Sequence, residues 1–83
     1  MRLVYFASVR QTLGKPEETL SLPASVTTVS GLVSFLATQG PAYAAVFADP
    51  RTLRAAVNQV HARFADPVSD ADEVAFFPPV TGG

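Results

Sequence analysis

The chain has no cysteine, one histidine and one lysine. Without cysteine there is no disulfide, no thiol nucleophile and no zinc–thiolate centre. Metal sites gather several His, Cys or carboxylate ligands, and none are grouped here, so no metal is expected. A glycine-rich phosphate loop is also missing. No apolar run approaches the ~20 residues needed to span a bilayer. The stretch from Arg2 to Ala7 is too short, and too soon followed by Arg10, to act as an export signal. The expectation is therefore a cytoplasmic protein without a membrane. Six basic residues against seven acidic ones give a formal net charge of −1, a poor match for nucleic acid. On side-chain chemistry alone, a self-sufficient enzyme is not expected.

What is present is enough for one small domain. The chain has 83 residues and is 48% apolar, which separates it from disordered sequences. Residues 2–8 read as a strand with both faces apolar, since Leu3, Tyr5 and Ala7 alternate with Val4 and Phe6. That pattern suggests a central strand whose second face is also covered. Val9 to Leu13 reads as a short helical turn stopped by Gly14. Glu18 to Leu22 alternates polar and apolar residues and pairs with the first strand as a hairpin. The main helix starts at a Thr27 or Thr28 cap. Val29, Leu32, Val33 and Leu36 form its apolar stripe, and Gly40-Pro41 marks its stop. Gly31 weakens this helix, and tight packing against a strand is one reason to keep it. A second short helix from Ala42 to Phe47 is plausible, closed by Asp49-Pro50. Leu53 to Val57 and Val60 to Arg63 read as strands about an Asn58-Gln59 turn. Asp70, Asp72 and Glu73 read as a solvated turn. Val74 to Phe77 is the last strand.

Strand, strand, helix, strands and final strand is the order of a ubiquitin-like β-grasp, an α+β fold with a mixed sheet on one main helix. Its first and last strands are parallel neighbours joined by a crossover. The expected core is Leu3, Leu20, Leu32, Leu36, Val57, Val74 and Phe76. Side chains alternate across a strand. With Leu3, Tyr5, Val74 and Phe76 facing the helix, Val4, Phe6, Ala75 and Phe77 face away. Phe6 and Phe77 then lie side by side as an interaction surface.

The last eight residues are Phe76-Phe77-Pro78-Pro79-Val80-Thr81-Gly82-Gly83. Proline has no N–H for a sheet ladder and holds the preceding residue extended. The chain thus divides into a domain at 1–77 and an extended tail at 78–83, reaching at most about 20 Å. A diglycine tip has no side chains, so a narrow tunnel can admit it and a reactant can approach its carbonyl.

The run from Asp72 to Gly83, the start Leu3 to Arg10, and Ala55-Ala56-Val57-Asn58-Gln59 resemble the MoaD-type sulfur carriers, the small subunits of molybdopterin synthase. The resemblance covers essentially the whole chain. It implies that Gly83 is adenylated, becomes a thiocarboxylate and gives its sulfur to a cyclic pyranopterin, with Gly82 giving access. It implies apolar docking through Phe6 and Phe77, with Pro78, Pro79, Val80 and Thr81 as the inserted tail. Implied partners are a large synthase subunit in a heterotetramer of two small and two large subunits, a ubiquitin-activator-like adenylyltransferase, and a sulfur donor protein. No cofactor is expected on this chain; ATP and Mg belong to the activating partner. Arg10 matches a basic position of the family and stands to meet a partner carboxylate or water. His61 falls where the family often places an apolar interface residue, and Ala71 where it commonly has glycine. If that position needs φ > 0, alanine adds strain. Thiazole-pathway sulfur carriers and ubiquitin-like protein modifiers also end in Gly-Gly, though their tails do not usually pair Phe-Phe with Pro-Pro-Val-Thr. A plain binding domain with an incidental Gly-Gly end is the remaining reading.

Overall fold

The computed structural model describes residues 1–79. Its first strand, β1, spans Arg2–Tyr5, shorter than the apolar run of 2–8. The strand stops because Ala7 takes a left-handed backbone, φ 50°. The Phe6 carbonyl then accepts the N–H groups of Val9 and Arg10, at 3.1 and 3.3 Å, and starts α1 (Ala7–Leu13). Gly14 ends that helix at φ 76°, donating its N–H to the Arg10 carbonyl. The second strand, β2, is Glu17–Thr19, so Leu20 and Leu22 fall beyond it.

Helix α2 is Val29–Leu36, and the Thr28 side chain accepts the Gly31 N–H. That hydroxyl satisfies one of the unpaired donors of the first turn. A methyl on Gly31 would meet the Thr28 oxygen at 3.4 Å and Val26 at 3.6 Å; the expected close strand is absent. The helix ends at Leu36, before the glycine. Gly40 and Pro41 instead open α3 (Pro41–Phe47), with proline in its first turn, where its missing N–H costs nothing. Asp49 closes nothing either: its carboxylate accepts the Arg51 N–H and caps a single 3-10 turn at Pro50–Thr52. Leu53 lies outside the strand it was expected to begin and is buried in the core.

Strands β3 (Arg54–Val57) and β4 (Val60–Ala62) form a hairpin. Its turn residues, Asn58 and Gln59, have φ of 50° and 69°, the backbone that suits the twist of a two-residue hairpin. The last strand, β5, is Glu73–Phe77. Ala71 is not among the residues of positive φ, so the alanine carries no such strain. The acidic turn is built rather than merely solvated. Asp72 accepts the Ser69 N–H and the Asn58 amide, and Asp70 accepts the Leu22 N–H.

The sheet order is β2-β1-β5-β3-β4. β1 runs parallel to β5 in the register Leu3↔Val74 and Tyr5↔Phe76, while β5 is antiparallel to β3. This is the ubiquitin-like β-grasp, with three helices rather than one main helix. Leu3, Tyr5, Val74, Phe76 and Ala55 of the inner face are buried with Val29, Leu32, Val33 and Leu36 of α2 and Val46 and Phe47 of α3. Two expected core residues are only half-buried. Leu20 follows the short β2, and Val57 sits on the inner face at the hairpin end; both pack against the core from its margin. Among the described residues, no helix is long and apolar enough to cross a membrane.

One polar knot joins three elements over this core. The Glu18 carboxylate accepts the Tyr5 hydroxyl at 2.6 Å and the Tyr43 hydroxyl at 2.7 Å. Lys15 donates to the Tyr43 hydroxyl at 3.1 Å. Burial, reinforced by the Glu18 hydrogen bond, pushes the Tyr5 phenol far above its usual range. Burial pushes Glu18 up, but the hydroxyls of Tyr5 and Tyr43, aided by Lys15, outweigh it and hold the carboxyl below its ordinary value of 4.5. A depressed carboxyl stabilises the fold above its unfolded value and loses that contribution as pH falls through the folded one. A raised phenol stabilises below its unfolded value of 10.0 and loses that contribution as pH rises. Tyr5→Phe is expected to cost about 1–2 kcal/mol at neutral pH. It should also flatten both the acid and the alkaline limbs of a pH–melting curve; limbs unchanged from wild type would show that the knot contributes little.

Candidate docking face and tail

The outer face of the sheet is set by the same register that fills the core. One cross-strand row reads Val4, Ala75, Ala56 and His61. The next row toward the tail holds Phe77 with Arg54 directly opposite. Phe6 follows β1 on the same side and donates its N–H to the Phe76 carbonyl at 3.1 Å. Side-chain alternation thus delivers both phenylalanines to one surface. Phe6 is 50% exposed and Val60 68%; Phe77 is half-buried.

Val4, Phe6, Ala56, Ala75 and Phe77 line a shallow groove of about 340 Å³, completed by Glu73 and Gln59. Ala56 and Gln59 escaped the sequence reading. Ala56 was recoverable, since alternation from Ala55 places it outward; Gln59 depends on the left-handed turn. His61 stands edge-on to Phe77, ring centres 6.0 Å apart at 70°. It therefore joins the apolar face as an aromatic neighbour. Arg10 lies apart on α1, exposed, lining a separate hollow with Lys15 and Gln11. Among the described residues it has no ion pair.

The face is polar along its length in charge as well as in shape. At the end far from the tail, Arg2 bonds Glu17 and lies 3.6 Å from Glu73. The middle is apolar. The tail end carries Phe6, Phe77 and Arg54, and there Pro78 and Pro79 leave the ladder, both half-buried. Val80, Thr81, Gly82 and Gly83, which include the expected reactive terminus, lie outside the described residues.

Such an arrangement defines a ubiquitin-like carrier domain: a small β-grasp with one bare apolar sheet face and a diglycine tail leaving beside it. The chain belongs to the ThiS family, whose model matches residues 3–83. It is 41% identical to the molybdopterin synthase sulfur carrier subunit of Escherichia coli over 83 residues, covering 100% of this chain and 99% of that one. It is 31% identical to the subunit of the same name from Haemophilus influenzae, with the same coverage. Among solved structures, SAMP1 from Haloferax volcanii superposes with a TM-score of 0.75 at 26% identity, covering 100% of this chain and 98% of that one.

The two faces should separate in stability measurements. Phe76, on the inner face, is fully buried and stacks edge-on against Phe47 with ring centres 5.0 Å apart. Phe76→Ala is expected to destabilise by about 3–5 kcal/mol. Phe6→Ala should cost under about 1 kcal/mol, because half of that ring is already in water. Urea midpoints of the two variants measure the contrast, and equal losses would reverse the assignment of faces.

Proposed function

We propose that the chain is the sulfur-carrying small subunit of a molybdopterin synthase, working in molybdenum cofactor biosynthesis. Full-length identity to subunits of that name supports this reading. The observation that carries it is the outward Phe6–Phe77 pair at the base of a tail ending in Gly82-Gly83.

A carboxylate is a poor electrophile, so Gly83 needs activation. Its oxygen attacks the α-phosphorus of ATP on an adenylyltransferase partner that uses Mg, and pyrophosphate leaves. Sulfur from a donor protein then attacks the acyl carbon, and AMP leaves. The resulting thiocarboxylate is ionised and nucleophilic. It transfers sulfur to cyclic pyranopterin monophosphate in the active site of the large subunit, and one water returns the carboxylate. Two rounds build the dithiolene. This chain supplies the carrier and its docking face; the pterin site belongs to the large subunit, in an assembly of two small and two large chains. The tail at 78–83 acts as the inserted arm of the 1–77 domain, with Pro78, Pro79, Val80 and Thr81 spanning the distance. Insertion replaces a bimolecular encounter by a positioned one and excludes water from the activated end. Arg10 and His61 serve docking rather than chemistry, and the chain holds no cofactor of its own.

The likeness to SAMP1 favours a second reading, since a related structure is described as a small archaeal modifier protein. Attachment of Gly83 to protein lysines would establish that role, and co-purification with a large synthase subunit would favour the first.

Deleting Gly83 shortens the reach by up to about 3.5 Å, and misplacement by ~1 Å already costs about a hundredfold. Sulfur incorporation, read by intact mass, should be nearly abolished, while melting temperature and large-subunit binding change little. Phe77→Ala should do the opposite, losing more than about 2 kcal/mol of binding with the terminus still competent for adenylation. Normal sulfur transfer by the shortened chain would rule out the carrier role.

A further inference from the structure

The arginines of this domain differ in what occupies them. Arg51 is engaged by Asp49, with Nε at 3.0 Å from one oxygen and Nη2 at 3.1 Å from the other. Arg2 is held between Glu17 and Glu73. Arg54 is half-buried, and its Nη1 donates to the Leu53 carbonyl at 2.7 Å. Among the described residues no carboxylate faces it. A guanidinium has five N–H donors in a planar fork, so most of its capacity remains open.

Its position makes that capacity relevant. Arg54 pairs directly with Phe77, in the last row of the sheet before Pro78. The sheet's own acids, Glu17 and Glu73, lie at the other end of the face. Arg54 also lines a hollow of about 390 Å³ with Pro50, Arg51 and Phe64. Two of those walls are apolar, which reduces screening of a charge seated against them.

We propose that Arg54 is a specificity-determining contact of the docking face, where it receives a carboxylate presented by the large subunit beside the base of the tail. The inference rests on the docking role proposed above. The apolar groove supplies contact area but little orientation. A planar, bidentate arginine–carboxylate pair is directional, and at the tail's root it fixes the angle at which the arm leaves for the tunnel. The unmatched charge also discriminates against partners lacking an acid there, because docking them would bury an unpaired cation.

The test is titration calorimetry of the full chain against the large synthase subunit, at about 50 and 300 mM NaCl. Arg54→Ala should weaken binding about tenfold and Arg54→Glu about a hundredfold at low salt. The gap should narrow at high salt, and Arg54→Lys should recover only part of the loss. Melting curves of the free variants should match wild type, and Arg51→Ala should bind as wild type. Phe77→Ala separates the two ideas. If Phe77→Ala weakens binding while Arg54→Glu stays within twofold of wild type, the arginine contact is overturned and the docking face stands. If neither variant changes binding, or the wild-type chain does not bind, the docking face itself fails and the arginine contact with it.

Discussion

Everything in this domain depends on the parallel pairing of β1 with β5. These strands come from opposite ends of the described chain and lie side by side at the middle of the sheet. Their register, Leu3 beside Val74 and Tyr5 beside Phe76, puts the largest inner residues in one column beneath α2 and α3. Because side chains alternate, the same register puts Val4 and Ala75 in a second column on the far side. Core and docking face are therefore two readings of one alignment. A slip of a single residue would exchange them, and Phe76 would go to solvent while Phe77 entered the core.

The polar knot of Tyr5, Glu18, Tyr43 and Lys15 complements this alignment. Tyr5 is 1% exposed, and its hydroxyl needs a partner once removed from water. Glu18 supplies it from β2 and also reaches Tyr43 on α3. Tyr43 in turn stacks over Phe47, with ring centres 6.4 Å apart, and Phe47 meets Phe76. The last inner residue of β5 is thus connected through aromatic contacts and hydrogen bonds to the first two strands. That chain of contacts holds Phe77, its outward neighbour, at a defined position from which the tail departs.

Much of this was legible in the sequence, and the parts that were not share a cause. Strand alternation identified Leu3, Val74 and Phe76 as core and Phe6 and Phe77 as surface, because a period of two has only two faces. The stripe at Val29, Leu32, Val33 and Leu36 likewise fixed the buried side of α2. Boundaries were harder. Nothing in the apolar run through Ala7 announces a left-handed alanine, so the first strand was read too long. Gly40-Pro41 carries the same letters whether it ends one helix or begins another, and only tertiary packing decided for α3. Arg54 was invisible as a docking residue for a different reason. Its significance comes from lying across from Phe77, and that pairing joins residues distant in sequence. Ala71 and Gly31, which suggested strain and a close strand, proved to be ordinary positions.

The strand order also governs how the molecule comes to exist. β5 is the last strand along the chain, yet it occupies the centre, with β1 on one side and β3 on the other. The two outer hairpins have no shared edge until it arrives, so the sheet cannot grow outward in the order of synthesis. Closure waits for a contact between the two ends of the chain, whose loop entropy must be overcome before the packing rewards it. Folding should accordingly be slower than for a helical bundle of this size, with a transition state that already contains the β1–β5 contact. Until that moment the apolar columns of both faces stand open to other chains. A nascent copy is thus most exposed to aggregation just before its final strand is inserted.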